Sequence, residues 1–227
     1  MDSIINISNN SKFLDEHLSD IRTIVAMPAY NEEKRIAQII SGARQYADVI
    51  LVVDDGSNDK TSAIADKYGA IVIQHTTNRG YGGALQTIFA SARKLGADEL
   101  VIIDADGQHD CDDIPRLLCE LRNGNDIVIG SRFAEGSGEG IPTYRKIGMK
   151  ILDIATFLAG TKLEISDTQS GFRAYSKQAI DMIQFRSNGM SAGSEILVQI
   201  SDKDLKIAEI PIRARYDLEG ISSENPI

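Results

Sequence analysis

Two aspartates follow a run of apolar residues in the stretch ELVIIDAD, residues 99–106. Asp104 and Asp106 are two residues apart, so on an extended chain their side chains point to the same side, with Cα atoms about 7 Å apart. Carboxylates this close raise each other's pKa unless a cation or a basic group lies near them. Gln108 continues the alternation and adds a neutral oxygen. This spacing predicts a site for a hard cation, because such ions prefer oxygen ligands.

The alternative for this stretch is an acidic strand end that caps the next helix, with Asp110 or Asp112 as the capping residue. We favour capping for these two aspartates. For Asp104 and Asp106 we favour the cation, because other predicted strands also end in polar clusters, and parallel strands bring such clusters to one edge of a sheet. The other clusters are PAYNEE, DDGS and GSR, which begin at residues 28, 54 and 130.

Two further motifs have residues that suit part of a nucleotide. In DDGSNDKT (54–61) the side chains of Asp54 and Asp55 point to opposite faces, so at most one of them lines a shared site. A carboxylate there can bind a ribose hydroxyl or a base N–H, and turn formation is the alternative. NRGYGGAL (78–85) lacks the last glycine of a dinucleotide fingerprint, and the chain has no P-loop run. Its glycines can let amides at a helix N-terminus approach a phosphate or sugar, and a flexible loop is the alternative.

The elements that must position these residues follow from the hydrophobic pattern. Strands are predicted at 23–28, 49–55, 70–75, 99–106 and 126–132, and helices at 31–47, 61–68, 82–96 and 112–122. Continuous apolar strands that alternate with helices indicate a parallel sheet covered on both faces, which binds ligands at the carboxyl ends of its strands. A glycine-rich loop (133–142), a helix with early basic residues (143–160) and a further helix (194–203) follow. We expect one α/β domain over 22–227, with a C-terminal extension, after a polar and mobile segment at 1–21.

Charge and cysteine usage exclude several classes of protein. A net charge of −9 argues against a general nucleic-acid binder, which carries a basic face. Cys111 and Cys119 would lie about 12 Å apart on a helix, too far for a disulfide, and two free thiols fit a reducing compartment. The sequence has no apolar run that would span a membrane and no signal peptide. We therefore expect a cytoplasmic protein, with peripheral association to a membrane left open.

Six motifs taken together resemble those of the polyprenyl-phosphate (dolichyl-phosphate) sugar synthases within the family-2 glycosyltransferases. They are PAYNEE, VVDDGSND, NRGYGGAL, DADGQH, GSRF and SDTQSGFRAY. The resemblance runs from Thr23 to Pro226. It implies a GT-A-type, Rossmann-like and mostly parallel sheet flanked by helices. The nucleotide-sugar-binding half would be 22–132 and the acceptor-binding half 133–227.

The resemblance also implies roles for individual residues. Asp104 and Asp106, with Gln108, would hold Mn²⁺ or Mg²⁺ together with the diphosphate of the donor. The residues implied in nucleotide-sugar binding are Pro28, Tyr30, Glu32, Val53, Asp55, Asp104, Ala105, Asp106, Gln108 and Arg215. Those implied in catalysis are Asp106, Arg132 and Asp167. Those implied in acceptor binding are Arg132, Arg145, Gln169 and Arg173.

The implied reaction moves a sugar from a nucleotide-diphosphate sugar to a polyprenyl monophosphate, with inversion at the anomeric carbon. The acceptor phosphate has a second pKa of about 6, so at neutral pH it is largely a dianion and attacks without a strong general base. The donors that fit are GDP-mannose, UDP-glucose and UDP-N-acetylglucosamine. GISSEN lacks a lysine that mannose synthases often carry nearby, which weakens the case for GDP-mannose.

A basic stretch supports peripheral contact with a membrane. Residues 141–152 contain Arg145, Lys146 and Lys150 and no acidic residue, which suits anionic head groups or the acceptor phosphate. An amphipathic helix that faces the core is the alternative. Near the end of the chain, Arg213 and Arg215 would close over the diphosphate or, alternatively, be solvated at an edge strand.

Other functions remain as alternatives. A family-2 glycosyltransferase that acts on a saccharide or protein hydroxyl would need a general base, for which Glu195 is the candidate. A nucleotide-sugar-binding protein without turnover would use the same site. A phospho-receiver module also gathers acids at strand ends, but it needs a lysine after its last strand, where this chain has GSR. The sequence predicts no oligomeric state.

Overall fold

The computed structural model describes residues 4–7, 22–134, 165–184 and 192–213. The strands in these ranges are β1 (Ile4–Ile7), β2 (Thr23–Ala29), β3 (Val49–Asp54), β4 (Ile71–His75), β5 (Glu99–Ile102), β6 (Ile127–Ser131), β7 (Arg173–Ser176) and β8 (Ile207–Pro211). The α-helices are α1 (Ile36–Ala43), α2 (Thr61–Lys67), α3 (Gly80–Lys94), α4 (Ile114–Arg122), α5 (Lys177–Met182) and α6 (Ala192–Asp202). The strands form one sheet in the order β1-β4-β3-β2-β5-β7-β6-β8.

The central strands β4, β3, β2 and β5 run parallel, as the alternation of strands and helices predicts. Their alternate side chains enter two separate cores. Ile24 and Ala26 of β2 pack in one core with helices α3, α5 and α6. Val25 and Met27 of the same strand pack in the other core with helices α1, α2 and α4. Burial on both faces explains why these strands are apolar at every position.

Strand β7 makes the sheet mixed. It lies between β5 and β6 and pairs antiparallel with both, so that Arg173 lies opposite Ile102 and Ile129. Strand β8 then pairs parallel with β6. The first residue of β7 therefore lies near the carboxyl ends of its neighbours, and the loop before β7 reaches the same edge of the sheet.

Two predicted boundaries near the strand ends are wrong. Strand β5 ends at Ile102 and does not continue to 106, because the chain turns at 105–107, where Gly107 has a φ of 77°. Helix α1 begins at Ile36 and not at 31, because Asn31 has a φ of 57°, which a helix does not accommodate. The acids of PAYNEE therefore lie in a turn before the helix, at the edge of the sheet.

The remaining elements agree with the predictions or fall partly beyond the described ranges. Helix α6 matches the helix expected at 194–203. Strand β1 lies within the segment 1–21, which was expected to be mobile, and pairs antiparallel with β4. The helix predicted at 143–160 lies outside the described residues. Among the described residues, no helix has both the length and the apolar character needed to cross a bilayer.

Two local predictions around helix α4 are confirmed. The carboxylate of Asp110 accepts a hydrogen bond from the backbone N–H of Asp112 (3.1 Å) and caps the 3₁₀ turn Cys111–Asp113. Cys111 and Cys119 are both free thiols, one buried and one exposed. The acid that caps this turn is therefore separate from the pair expected to bind a cation.

Phe89 of helix α3 tests the contribution of the core that contains helices α3, α5 and α6. Its side chain is fully buried and packs edge-on against Tyr175, with ring centroids 5.0 Å apart. We predict that Phe89→Ala lowers the free energy of unfolding by about 3–5 kcal/mol, because it removes these contacts and leaves a cavity. Urea unfolding followed by circular dichroism measures the loss. Tyr68, whose ring is exposed, is the control: Tyr68→Ala should cost less than about 1 kcal/mol, and equal losses would contradict this account of the core.

Candidate active site

The carboxyl ends of the parallel strands lie together at one edge of the sheet. Ala29 at the end of β2 pairs with Asp54 at the end of β3, and the carbonyl of Ala29 accepts a hydrogen bond from the N–H of Asp55 (2.8 Å). Beyond the end of β5, the N–H of Ile103 donates to the carbonyl of Ala26 (3.1 Å). The polar residues that follow these strands therefore begin at one edge, where open α/β sheets bind their ligands.

Asp106 lies in the turn after β5 and Asp104 lies just before this turn, so neither is on the extended strand that the sequence predicts. Oδ1 of Asp106 accepts a hydrogen bond from the backbone N–H of Gln108 (2.9 Å), which orients its carboxylate. Burial raises the pKa of Asp106, and the negative charge of Asp104 raises it further. The two carboxylates therefore do interact, but a turn and not the alternation of a strand brings them together.

Two more titratable groups lie close to this pair. Burial and then the charge of Asp106 raise the pKa of Glu32 to about 7, while Arg35 acts in the opposite direction. Burial raises the pKa of Tyr81 well above its ordinary value, and the charge of Asp104 adds to this effect. Glu32 was expected at the site. Tyr81 was missed, although it belongs to NRGYGGAL, because only the glycines of that motif suggested a function.

Two further residues that the sequence analysis missed border the carboxylate of Asp104. His109 Nε2 lies 3.6 Å from Oδ2 of Asp104, and the imidazole packs against Phe172 with ring centroids 5.2 Å apart. Gly171 is so close that a Cβ atom added to it would lie 2.2 Å from the same oxygen. Both residues belong to quoted motifs. His109 lies in the same DADGQH motif as Asp104 and was overlooked, whereas Gly171 is so distant in the chain that local spacing cannot indicate its contact with Asp104.

Arg132 and Asp167, two of the predicted catalytic residues, form a bidentate ion pair. Nε and Nη2 of Arg132 each donate to an oxygen of Asp167 at 2.7 Å, and the backbone N–H of Arg132 donates to the same carboxylate at 3.0 Å. The carboxylate of Glu209 on β8 accepts hydrogen bonds from the backbone N–H groups of Ser166 and Asp167 at 2.9–3.0 Å. Strand β8 therefore holds the start of the loop 165–172, and with it the ion pair.

Arg173 holds the same loop from the inside. It is almost fully buried and donates to the carbonyl oxygens of Ser170 (2.8 Å) and Thr168 (2.7 Å). Gln169 is half-buried, and its amide lies 3.3 Å from Oγ1 of Thr168. This structural task of Arg173 is not encoded in any local pattern of the sequence. The role of Arg173 and Gln169 in acceptor binding stays a prediction.

The two aspartates of DDGS have separate contacts, as their adjacent positions predict. Asp54 accepts a hydrogen bond from the backbone N–H of Ser57 (2.9 Å), so its turn-forming role is confirmed. Asp55 is buried and accepts hydrogen bonds from the backbone N–H groups of Arg79 (2.9 Å) and Gly80 (2.7 Å) at the start of helix α3. Its contact with a base or ribose stays a prediction.

The other predicted nucleotide-binding residues lie on the strand ends or just after them. Pro28 and Val53 are buried and pair in the register of β2 and β3. Tyr30 is half-buried directly after β2, and Ala105 is buried in the turn after β5. Two predicted arginines fall outside the described residues, Arg145 and Arg215.

The carboxylates of Asp104 and Asp106 suit a divalent ion whose remaining ligands come from a diphosphate and water. Among the residues that the structure describes, no three or more His, Cys, Asp or Glu side chains are grouped so that they could hold a metal ion by themselves. Mg²⁺ is commonly bound by only one or two carboxylates, with substrate phosphates and water completing its shell. Burial and then the charge of Asp104 raise the pKa of Asp106, and a nearby cation would oppose both effects. Gln108 reaches Asp106 through its backbone, and the role of its side chain as a ligand stays a prediction.

The mostly parallel sheet, its two helical layers and the acidic edge define a GT-A-like glycosyltransferase fold. The model of the family described as "Glycosyl transferase family 2" matches residues 24–183. This chain therefore belongs to the family-2 glycosyltransferases, and the family expected from the six motifs is confirmed.

Three relatives show where in the family the similarity lies. The chain is 34% identical to the UDP-N-acetylglucosamine--dolichyl-phosphate N-acetylglucosaminyltransferase of Methanococcus voltae, over 88% of each chain. It is 33% identical to a dolichyl-phosphate hexose transferase of Haloferax volcanii, over 84% of this chain and 82% of that protein. It is 34% identical to a dolichol-phosphate mannosyltransferase of Pyrococcus furiosus, over 86% of this chain but 58% of that protein.

Solved structures share the fold at lower sequence identity. Glucosyl-3-phosphoglycerate synthase of Mycobacterium tuberculosis, in complex with Mn²⁺, UDP and glucosyl-3-phosphoglycerate, has a TM-score of 0.66 and 21% identity. The similarity covers 90% of this chain and 75% of that chain. The same enzyme in complex with phosphoglyceric acid gives a TM-score of 0.67 at 23% identity. These structures establish the likeness of the fold.

Gly171 provides a test of the geometry around Asp104. We predict that Gly171→Ala weakens the binding of Mn²⁺ by at least about tenfold, because the new Cβ would displace the carboxylate of Asp104. Titration of Mn²⁺ into the protein, with the free ion followed by electron paramagnetic resonance, measures this affinity.

The control for that variant is Gly96→Ala. A Cβ at Gly96 would meet no atom within 4 Å, but its φ of 69° makes alanine unfavourable there. This variant should lose about 1 kcal/mol of stability and keep its affinity for Mn²⁺. Wild-type affinity in Gly171→Ala would contradict the proposed packing.

Glu32 makes the stability of the metal-free protein depend on pH. Its pKa is about 7 in the folded protein against 4.5 as its ordinary value, so the folded state binds more protons and stability falls as pH rises through this interval. We predict that Glu32→Gln removes this loss, so that its stability exceeds that of the wild type by an amount that grows from pH 4.5 and is constant above about pH 7. Because Glu32 is partly exposed and screened by solvent, we expect a gain of about 1–2 kcal/mol.

Urea unfolding in EDTA at intervals from pH 4 to 8 measures that difference. Glu33→Gln, at the neighbouring carboxyl, is the matched control for loss of a negative charge. A difference between Glu32→Gln and the wild type that shrinks as pH rises would contradict the assignment.

Proposed function

We propose that this chain transfers a sugar from a nucleotide-diphosphate sugar to the phosphate of a polyprenyl (dolichyl) monophosphate, with Mn²⁺ or Mg²⁺ and with inversion at the anomeric carbon. The observation that carries the proposal is the repelling pair Asp104 and Asp106 at the ligand-binding edge of a family-2 glycosyltransferase. Relatives of similar length that are named for transfer to dolichyl phosphate support this choice of acceptor.

The nucleotide sugar would lie across the carboxyl ends of β2, β3 and β5. Asp104 and Asp106 would hold the metal ion, with Gln108 beside them. When bound, the ion would neutralise the negative charge that develops on the diphosphate as it leaves. Glu32 and Asp55 would meet the nucleoside from the neighbouring strand ends, together with Pro28, Tyr30, Val53 and Ala105.

The acceptor would approach from the loop 165–172 and the segment after β6. Its phosphate oxygen would attack the anomeric carbon while the bond to the diphosphate breaks, so the sugar inverts. A dianionic phosphate needs no strong base for this attack. Asp167 orients Arg132 through two bonds of 2.7 Å, and we assign the guanidinium to one of the phosphates. Gln169, Arg173 and the more distant Arg145 and Arg215 would complete the binding of acceptor and donor.

A lipid acceptor implies work at a membrane surface. We propose peripheral attachment on the cytoplasmic side, through the basic stretch 141–152, which lies outside the described residues. A basic stretch of this kind is attracted to anionic head groups. The donor screen described below identifies which sugar is transferred: glucose, N-acetylglucosamine or mannose.

The decisive experiment is a screen of labelled GDP-mannose, UDP-glucose and UDP-N-acetylglucosamine with native lipid extract and Mn²⁺, following label into the organic phase. We predict that one donor labels lipid, and that Asp106→Asn lowers the initial rate by about 100-fold or more, because it removes a carboxylate that would hold the metal. Asp110→Asn is the matched control, since this carboxylate caps a 3₁₀ turn, and it should leave the rate nearly unchanged.

Glu195→Gln separates this proposal from transfer to a hydroxyl. Glu195 lies in the first turn of helix α6, and a hydroxyl acceptor would need such a carboxylate as general base. Transfer to lipid phosphate should keep most of its rate in this variant. Label that enters a soluble saccharide or protein but no lipid, and that disappears in Glu195→Gln, would overturn the choice of acceptor. Binding of donor with no turnover to any acceptor would favour the non-catalytic alternative.

A further inference from the structure

A buried chain of hydrogen bonds joins the last residue of β4 to the edge of the sheet. Nδ1 of His75 lies 2.6 Å from Oδ1 of Asp55, and Nε2 of His75 lies 2.8 Å from Oγ1 of Thr87 in helix α3. The side chain of His75 has no exposed surface, and that of Asp55 has almost none. Neither the sequence motifs nor the family resemblance implies a role for His75.

Asp55 links His75 to the backbone at the start of helix α3. Its carboxylate accepts hydrogen bonds from the N–H of Arg79 at 2.9 Å and from the N–H of Gly80 at 2.7 Å. Gly80 has a φ of 79° and begins helix α3, so these bonds fix the entry into the helix. With its proton on Nδ1, His75 supplies the third donor that a buried carboxylate needs.

The segment that Asp55 holds is also packed against the DDGS turn. A Cβ atom added to Gly56 would lie 2.8 Å from the backbone N of Asn78, so the two backbones touch at this point. Residues 76–80 and the DDGS turn therefore form one unit at the edge of the sheet, which we call the β3–α3 edge. The carboxylate of Asp55 lies within the β3–α3 edge, and the imidazole of His75 contacts it from the protein interior.

Asp55, His75 and Thr87 have the order of an acid, a base and a hydroxyl nucleophile, but the position of Thr87 excludes a catalytic triad. The hydroxyl of Thr87 lies within helix α3, almost fully buried, and 3.2 Å from the carbonyl oxygen of Gly83. A substrate cannot reach an oxygen enclosed in this way. The arrangement orients residues and does not react.

We propose that His75 is a positioning residue for nucleotide binding: it holds the Asp55 carboxylate and, through it, the β3–α3 edge in the conformation that receives the nucleoside. This inference rests on the proposed function, in which Asp55 meets the base or ribose. Its effect is therefore on the affinity for nucleotide and not on the chemical step. Loss of the donor to Asp55 leaves a buried carboxylate with one partner fewer, which favours local rearrangement of the edge.

Two amide variants separate the two contacts of His75. In His75→Asn the side-chain amide lies where Nδ1 was, so it can still donate to Asp55. In His75→Gln the amide lies further out, where Nε2 was, so it can reach Thr87 but not Asp55. Both variants lose the ring and should be similarly destabilised, which makes each the folding control for the other.

Two measurements follow from this pair. Hydrogen exchange of the amides of Arg79 and Gly80 in the ligand-free protein should be about tenfold faster in His75→Gln than in His75→Asn. The Kd of UDP and of GDP, measured with Mn²⁺ by calorimetry, should be about tenfold higher in His75→Gln than in His75→Asn for the nucleotide that the wild type binds. With saturating donor, kcat should be similar in the two variants.

The outcomes are distinguishable. Equal exchange of both amides in the two variants overturns the positioning of the edge by His75. Different exchange with equal nucleotide affinity overturns the link between this edge and the nucleoside. A wild type that binds neither UDP nor GDP overturns the proposed function and the nucleotide part of this inference, while the exchange rates still decide whether His75 orders the edge.

Discussion

Repulsion between carboxylates at a half-buried sheet edge is the constraint on which the rest of the site depends. Burial and then the charge of Asp104 raise the pKa of Asp106, and burial and then the charge of Asp106 raise the pKa of Glu32, which follows the neighbouring strand. An edge of this kind is stable only where donors and positive groups approach the acids, as the N–H of Gln108 does. A divalent ion would relieve the same repulsion, so the property that destabilises the edge is also the one that would favour the proposed metal ion.

The insertion of β7 is the second structural condition. Because β7 runs against β5 and β6, its first residue lies near their carboxyl ends, and the loop 165–172 returns to the acidic edge. Glu209 and Arg173 hold that loop from β8 and from the inside, and Gly171 meets the carboxylate of Asp104. The donor side and the acceptor side of the proposed site are thus joined by direct contact. A shift of this loop would displace the carboxylate of Asp104, because Gly171 packs against it with no space left between them.

The sequence predicts what local patterns control. Apolar runs and helix-period segments place β2, β3, β4 and β6 to within a residue or two, and the cap at Asp110 follows from its own side chain. The turn at 105–107 was missed because the apolar run before it continues smoothly into Asp104. The pairing of β7 and the contact of Gly171 with Asp104 are long-range, and no spacing in one sequence encodes them. The resemblance to a family supplied the expected roles of residues that periodicity alone left open.

The acids at this edge divide by the partners that the fold gives them. Asp55 and Asp167 are buried, yet each accepts several hydrogen bonds, from backbone N–H groups and from His75 or Arg132. Burial of a charge is tolerated where such donors surround it. Asp106 and Glu32 are less enclosed, but burial and neighbouring acids raise their pKa values, so the fold leaves part of their charge uncompensated. The first two acids are therefore held by donors of the polypeptide, whereas the charge of the second two would be stabilised by a positive group nearby. The number of donors around a carboxylate, and not its burial alone, decides how much of its negative charge is left for a cation to neutralise.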